Sequence, residues 1–117
     1  MYVPLVIDPM RPAPQPGLPQ LSDVARAASV IAGVPLQWLS GRSKETDIVL
    51  ARWLYYSVAK RLGHRVTDIG RVVNRTHSSV IHGLIVAGIN NPEFHAKRAL
   101  VVAVLSAKFP ELEVPRD

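Results

Sequence analysis

The sequence predicts an all-α domain of about six helices. Three observations predict it. Apolar residues recur at helical spacing in several separate stretches, and no run alternates with the period of a strand. Helix starts and stops punctuate the chain at intervals: Ser22-Asp23 before Gly33, Thr46 before Gly63, and Asn91-Pro92-Glu93 before Pro110. Between them lies a pair of short apolar-faced segments separated by Asn74-Arg75-Thr76, which breaks the period.

The 117 residues suffice for one small domain with one modest core. No Gly-rich phosphate loop ending in Lys-Ser/Thr appears, so no nucleotide is expected as a ligand. Cysteine is absent, which excludes disulfides and thiolate metal sites and fits a reducing cytosol. Met1 to Met10 lacks a basic start and holds Pro4, Asp8 and Pro9, unlike a signal peptide. Ala99 to Ala107 is an uncharged apolar run of the helical region, too short to cross a bilayer. The expectation is a cytoplasmic, nucleoid-associated protein with no membrane partner. Net charge is +5, and its distribution says more than its sum. Between Ser22 and Phe109 there are twelve Lys/Arg against five Asp/Glu. The positive charge belongs to the folded part, as in domains that bind a polyanion. The plain alternative is charge kept for solubility.

Residues 1–20 hold six of the ten prolines and read as an extended arm. Tyr2, Val3, Leu5, Val6 and Ile7 make it apolar enough to dock, although a mobile tail is the simpler reading. The helical domain is expected over 21–109. Ser22 is placed as the cap of the first helix, whose Val24, Ala27, Ala28 and Ile31 share a face. Pro35 to Leu39 is a short helical turn, with Trp38 expected as a core anchor. Ser40-Gly-Arg-Ser-Lys44 is a flexible basic loop. A long helix runs from Thr46 to Leu62, burying Ala51, Leu54, Tyr55, Val58 and Leu62. Arg52, Lys60 and Arg61 are left for solvent or phosphate. The final helix starts at Asn91-Pro92 and runs to about Lys108. Its stretch Ala99 to Leu105 is apolar all round, so it is either buried or covered by a second chain. Residues 110–117 form an acidic tail.

Arg65 to His82 reads as helix, tight turn, helix. Val66, Ile69, Val72 and Val73 give the first segment its face. Thr76 can accept from the free N–H groups of the next helix start. On the second segment Val80, Ile81, Leu84 and Ala87 fall on one side; Ser78, Ser79 and His82 fall on the other. Burying one face and offering small hydrogen-bonding side chains near the N-terminus is what a major-groove recognition helix requires.

The stretch Asn74-Arg-Thr-His77-Ser-Ser-Val-Ile-His82 resembles the Gly-Arg-Asp-His-Thr-Thr-Val-Ile-His signature of the bacterial replication initiator DnaA, in its carboxy-terminal DNA-binding domain. Asp68-Ile-Gly70 resembles that family's Glu-Ile-Gly, and Ile48-Val-Leu-Ala-Arg52 its Val-Ala-x-x-Arg. The likeness covers roughly Leu21 to Phe109. Thr76 stands where the family has Asp, Trp53 where it has Gln, and the turn is one residue shorter and lacks paired glycines. The resemblance implies a helix-turn-helix fold and sequence-specific binding of double-stranded DNA, with a role in replication initiation or transcription at initiator-box-like sites. It also implies that Arg52 contacts DNA and that the loop carrying Arg42 and Lys44 enters a minor groove, where a narrow A/T-rich groove favours cations.

The expected contacts then divide by chemistry. Thr76, His77, Ser78 and Ser79 face base edges; Arg75 and His82 donate to phosphates. Other readings compete. Serines on a helix are usually a solvated face, and His82 could be a satisfied interior histidine. A metal site is poor, since His77 and His82 diverge by roughly 140° on a helix. No acid is placed to orient a histidine for catalysis, so no enzyme and no cofactor is expected. The rival functions are a phage- or plasmid-type repressor, dimeric through the last helix, and a protein-interaction adaptor with a basic face.

Overall fold

The computed structural model describes residues 19–89 and 91–112. Most of the proline-rich arm and the end of the acidic tail lie outside the described residues. Five α-helices follow one another: α1 (Leu21–Ala32), α2 (Thr46–Arg61), α3 (Val66–Val72), α4 (His77–Ala87) and α5 (Pro92–Lys108). Leu36–Ser40 is a 3₁₀ turn. The count of about six helices is therefore corrected to five, because the Pro35 segment closes only a tight turn. No strand occurs among the described residues.

Local chemistry accounts for most of the boundaries. Asn91 Oδ1 accepts from the Phe94 N–H at 3.2 Å, Pro92 opens α5, and Glu93 sits in its first turn. α1 ends at Gly33, in the left-handed region, where the Val34 N–H reaches back to the Ser29 carbonyl. Its start differs from expectation. Gln20, not Ser22, is the capping position, and its N–H donates to the Asp23 carboxylate at 2.9 Å. Ser22 is an exposed residue inside the helix.

α2 is the central element; α1, α3, α4 and α5 all pack on it. Its residues from Leu50 to Ala59 are buried except Trp53, which is half-buried. Leu54, Tyr55, Val58, Phe94, Val101 and Leu105 fill the middle of the core. Fully burying one such side chain is worth about 1.5–3 kcal/mol. The Tyr55 hydroxyl donates to the Ile69 carbonyl at 2.7 Å, which ties α3 to α2. α4 approaches α2 at Gly83. A Cβ there would stand 2.8 Å from the Tyr56 ring and 2.9 Å from the Trp53 ring. Only glycine lets the two helices come this close without a ring moving.

Four burial expectations change. Trp38 is 48% exposed, and its neighbour Leu39 holds the core place. Val72 and Ile81 are 47% and 44% exposed, so each short helix buries a narrower face than its sequence suggests. Val101 and Leu105 anchor α5, while Ala99, Leu100 and Ala103 are exposed, so α5 buries one side rather than all of its surface.

Candidate nucleic-acid interface

Residues 73–76 join α3 to α4. Asn74 takes a φ of +57°, a conformation that asparagine tolerates and most residues avoid. The Arg75 N–H donates to the Gly70 carbonyl at 2.8 Å and folds the chain back. A Cβ on Gly70 would lie 2.5 Å from the Arg75 carbonyl oxygen, so this turn requires glycine at 70. Thr76 caps α4: its hydroxyl accepts from the Ser79 N–H at 3.2 Å and lies 3.2 Å from the Ser79 hydroxyl.

The turn and the start of α4 carry one continuous polar surface. Thr76, His77, Ser78, Ser79 and His82 are all exposed. His82 is therefore not an interior histidine. Two of the hydroxyls, those of Thr76 and Ser79, are already engaged with each other. The face changes character beyond His82. Ile85 and Ile89 are 61% and 64% exposed and continue the row begun by Ile81. α4 itself contains no Lys or Arg.

The basic loop is built on a buried arginine. Arg52 is only 6% exposed. Its Nε donates to the Leu39 carbonyl at 2.9 Å and its Nη1 to the Ser43 carbonyl at 2.7 Å. Its Nη2 donates to the carbonyls of Gly41 at 2.6 Å and Trp38 at 3.4 Å. Arg52, expected to contact DNA, has its guanidinium enclosed and committed to the loop backbone. Burial, with the nearby Arg75 charge second, pulls its pKa below the usual arginine value. Arg52 remains the cation that best survives such a site, because its pKa begins so high.

Arg75 adds a second link. Its guanidinium donates to the same Gly41 carbonyl and bonds the Tyr56 side chain. Burial raises the Tyr56 pKa, and the charges of Arg75 and Arg52 oppose that rise. Arg75 is half-buried, so only part of it is presented to solvent. Arg42 and Lys44 are exposed on the loop, as expected. The structure thereby brings the loop, the turn and the first turn of α4 together, and takes Arg52 out of the exposed set.

Sequence reasoning missed Gly41, Tyr56 and Gly70 as organisers of this region. The burial of Arg52 had a sequence signal: Ile48, Arg52, Tyr55 and Ala59 recur at i, i+4, i+7 and i+11, and all four are buried. Among the described residues no cluster of His, Cys, Asp or Glu could hold a metal ion, and no helix is long and apolar enough to cross a membrane. No family model, curated protein or solved structure matches this chain.

Proposed function

We propose that this chain binds double-stranded DNA with sequence preference, using α3 and α4 as a helix-turn-helix and the loop of Arg42 and Lys44 as a second contact. One observation carries the reading: Arg75, the residue preceding the α4 cap, bonds the loop at Gly41, which sets an exposed polar helix start beside an exposed basic loop. The polar residues sit in the first turn and a half of α4, where recognition helices meet base edges. Hydroxyls and imidazoles can donate or accept there, and the loop cations suit the flanking backbone or a narrow minor groove. The resemblance of residues 74–82 to the replication initiator signature points to initiator-box-like sites and to a role in replication initiation or transcription.

The test is selection of bound sequences from a random duplex pool, with affinity measured at two salt concentrations. An enriched motif with a steep salt dependence is expected. Binding that ignores both sequence and salt overturns the reading.

A second reading has its own observation. Ile81 and Ile85 on α4, continued by Ile89 just beyond its end, form an exposed apolar row, and α4 carries no Lys or Arg. Such a stripe suits a protein partner better than a groove. It favours an adaptor or a dimeric repressor whose contact lies along α4 rather than along α5. Mass in solution with and without DNA separates these, since a dimer predicts paired half-sites.

A further inference from the structure

Apart from Arg42, the lining of the cleft beside the loop is not used by the duplex reading. It lies between the 3₁₀ turn and the N-terminal end of α2, encloses about 270 Å³, and opens to solvent. Ile48 and Trp38 give it apolar walls; Gln37, Arg42, Ser43 and Glu45 surround them. Trp38 is the anomaly. Tyr55, Tyr56 and Phe94 are all buried, while the Trp38 ring stays nearly half exposed. Its backbone is nevertheless held firmly. The Trp38 N–H donates to the Pro35 carbonyl, and its own carbonyl accepts from the Gly41 N–H and from Arg52. An aromatic ring fixed at the surface, next to a cation, is an arrangement that costs apolar exposure without contributing to the core.

Arg52 explains why the wall suits an anionic ligand. It draws the carbonyls of Trp38, Leu39, Gly41 and Ser43 inward, toward one guanidinium. Those four oxygens are spent on the interior. The Arg42 side chain is left on the outer surface beside the exposed ring.

We propose that this cleft binds one unstacked nucleotide of single-stranded DNA, its base stacked on Trp38 and its phosphate on Arg42. The inference rests on the reading of the chain as a DNA-binding protein and extends it to a second form of DNA. Stacking on an aromatic ring beside a cation is the common chemistry of single-strand binding, and it tolerates any base. The cleft lies just below the usual size of small-molecule pockets, which fits one base and its sugar rather than a larger ligand. Ser43 and Gln37 can donate to a base edge, and the Glu45 carboxylate can accept from an exocyclic amine. A carboxylate at the rim also repels a second phosphate, which limits the site to one nucleotide. Because the loop carries both the cleft and the groove contact, a melted base beside a bound duplex would lie within its reach.

The test uses the two tryptophans. Trp53→Phe leaves Trp38 as the sole tryptophan, whose emission is read at an excitation that tyrosine does not absorb. Titration with a short oligothymidylate should quench its emission saturably, and a duplex of random sequence should not. In the otherwise unchanged chain, Trp38→Leu should weaken oligothymidylate binding by roughly tenfold while leaving duplex affinity within about twofold. Arg42→Ala should weaken both. Oligothymidylate binding without quenching, or with Trp38→Leu silent, overturns the proposal. Duplex binding without any oligothymidylate binding overturns it too and leaves the duplex reading intact. Failure to bind either form of DNA removes both.

Discussion

Arg52 and Arg75 donate to the same oxygen, the carbonyl of Gly41. Arg52 comes from the middle of the central helix and Arg75 from the turn before α4, so one peptide group joins three segments of the chain. Two like charges converge there, and the dipole of the carbonyl offsets part of their repulsion. The further carbonyls on Arg52 and the Tyr56 side chain on Arg75 take up the remainder of the geometry. The loop is in this sense an outgrowth of the core and not a free connector.

Replacing Arg52 therefore should act on stability first. Arg52→Ala strips the Leu39 and Ser43 carbonyls of their donor, takes one of two donors from the Trp38 and Gly41 carbonyls, and leaves a cavity beside Leu39, so a loss of at least about 2 kcal/mol is expected. Arg52→Lys supplies three donors from a single nitrogen, which cannot span four carbonyls spread over six residues. It should recover less than half of the loss. Urea unfolding midpoints measure this. A Lys variant as stable as the parent would show that the guanidinium fork is not what holds the loop.

Gly70 sets the turn on which α4 is aimed. A methyl group there meets a backbone oxygen at 2.5 Å, and backbone cannot yield as the end of a side chain can. Gly70→Ala should cost about 1–3 kcal/mol and weaken duplex binding beyond what unfolding explains. Affinity measured at a temperature where the variant stays folded separates the two effects. Unchanged affinity in a folded variant would mean that the aim of α4 does not matter for binding.

Tyr55 makes a prediction in pH. Burial first, then Tyr56 and Asp68, push its pKa well above the ordinary tyrosine value of about 10. The folded chain thus holds the neutral phenol, which donates to Ile69, more firmly than the unfolded chain does. The stabilisation is fully present below the unfolded value of about 10 and is lost as pH rises toward the folded value. Thermal stability should fall above pH about 10. Tyr55→Phe should cost roughly 1 kcal/mol at neutral pH and make the alkaline decline shallower. An identical decline in the variant would assign it to other groups.

What the sequence disclosed follows from the range of the forces involved. The Thr76 cap, the Asn91-Pro92 start and the Gly33 stop are settled within a few residues, so they could be read directly. The exposed row from Thr76 to His82 follows from helical periodicity with equal directness. The place of Arg52 depends on a loop that curls over it, with partners nine to fourteen residues away. Charge alone suggests solvent there, and only its position among Ile48, Tyr55 and Ala59 suggests otherwise. Trp38 and Leu39 competed for one core place, and the tight 3₁₀ turn decided which side chain faced inward. Ile81 lies outside the buried face because α4 turns Val80, Gly83 and Ala87 inward, with Gly83 against the Tyr56 and Trp53 rings.

Arg42 and Lys44 should supply affinity more than base choice. Both are exposed, and neither is needed to hold the loop that Arg52 organises. Changing both to Ala should leave the unfolding midpoint unchanged. It should weaken binding to all duplexes and flatten the salt dependence by up to about two units of slope. If slope and affinity both persist, the loop touches no DNA.

Thr76 offers the sharpest test of base choice. Its hydroxyl accepts from the Ser79 N–H and is hydrogen-bonded to the Ser79 hydroxyl, so part of the bonding capacity of both groups is already committed. A threonine here caps the helix and discriminates weakly. An aspartate would keep the cap, since carboxylates are good capping groups, and the helix dipole would stabilise its charge. Thr76→Asp should therefore leave stability equal or slightly higher. The same carboxylate can accept from a cytosine amino group and repels edges that present only acceptors. The variant should select a site altered at the bases facing Thr76 and His77, closer to the initiator box, with each changed base pair worth about 1–3 kcal/mol. Sites selected by parent and variant in parallel decide it. Identical preferences in the two, with both folded and both binding, would mean that the start of α4 does not read bases.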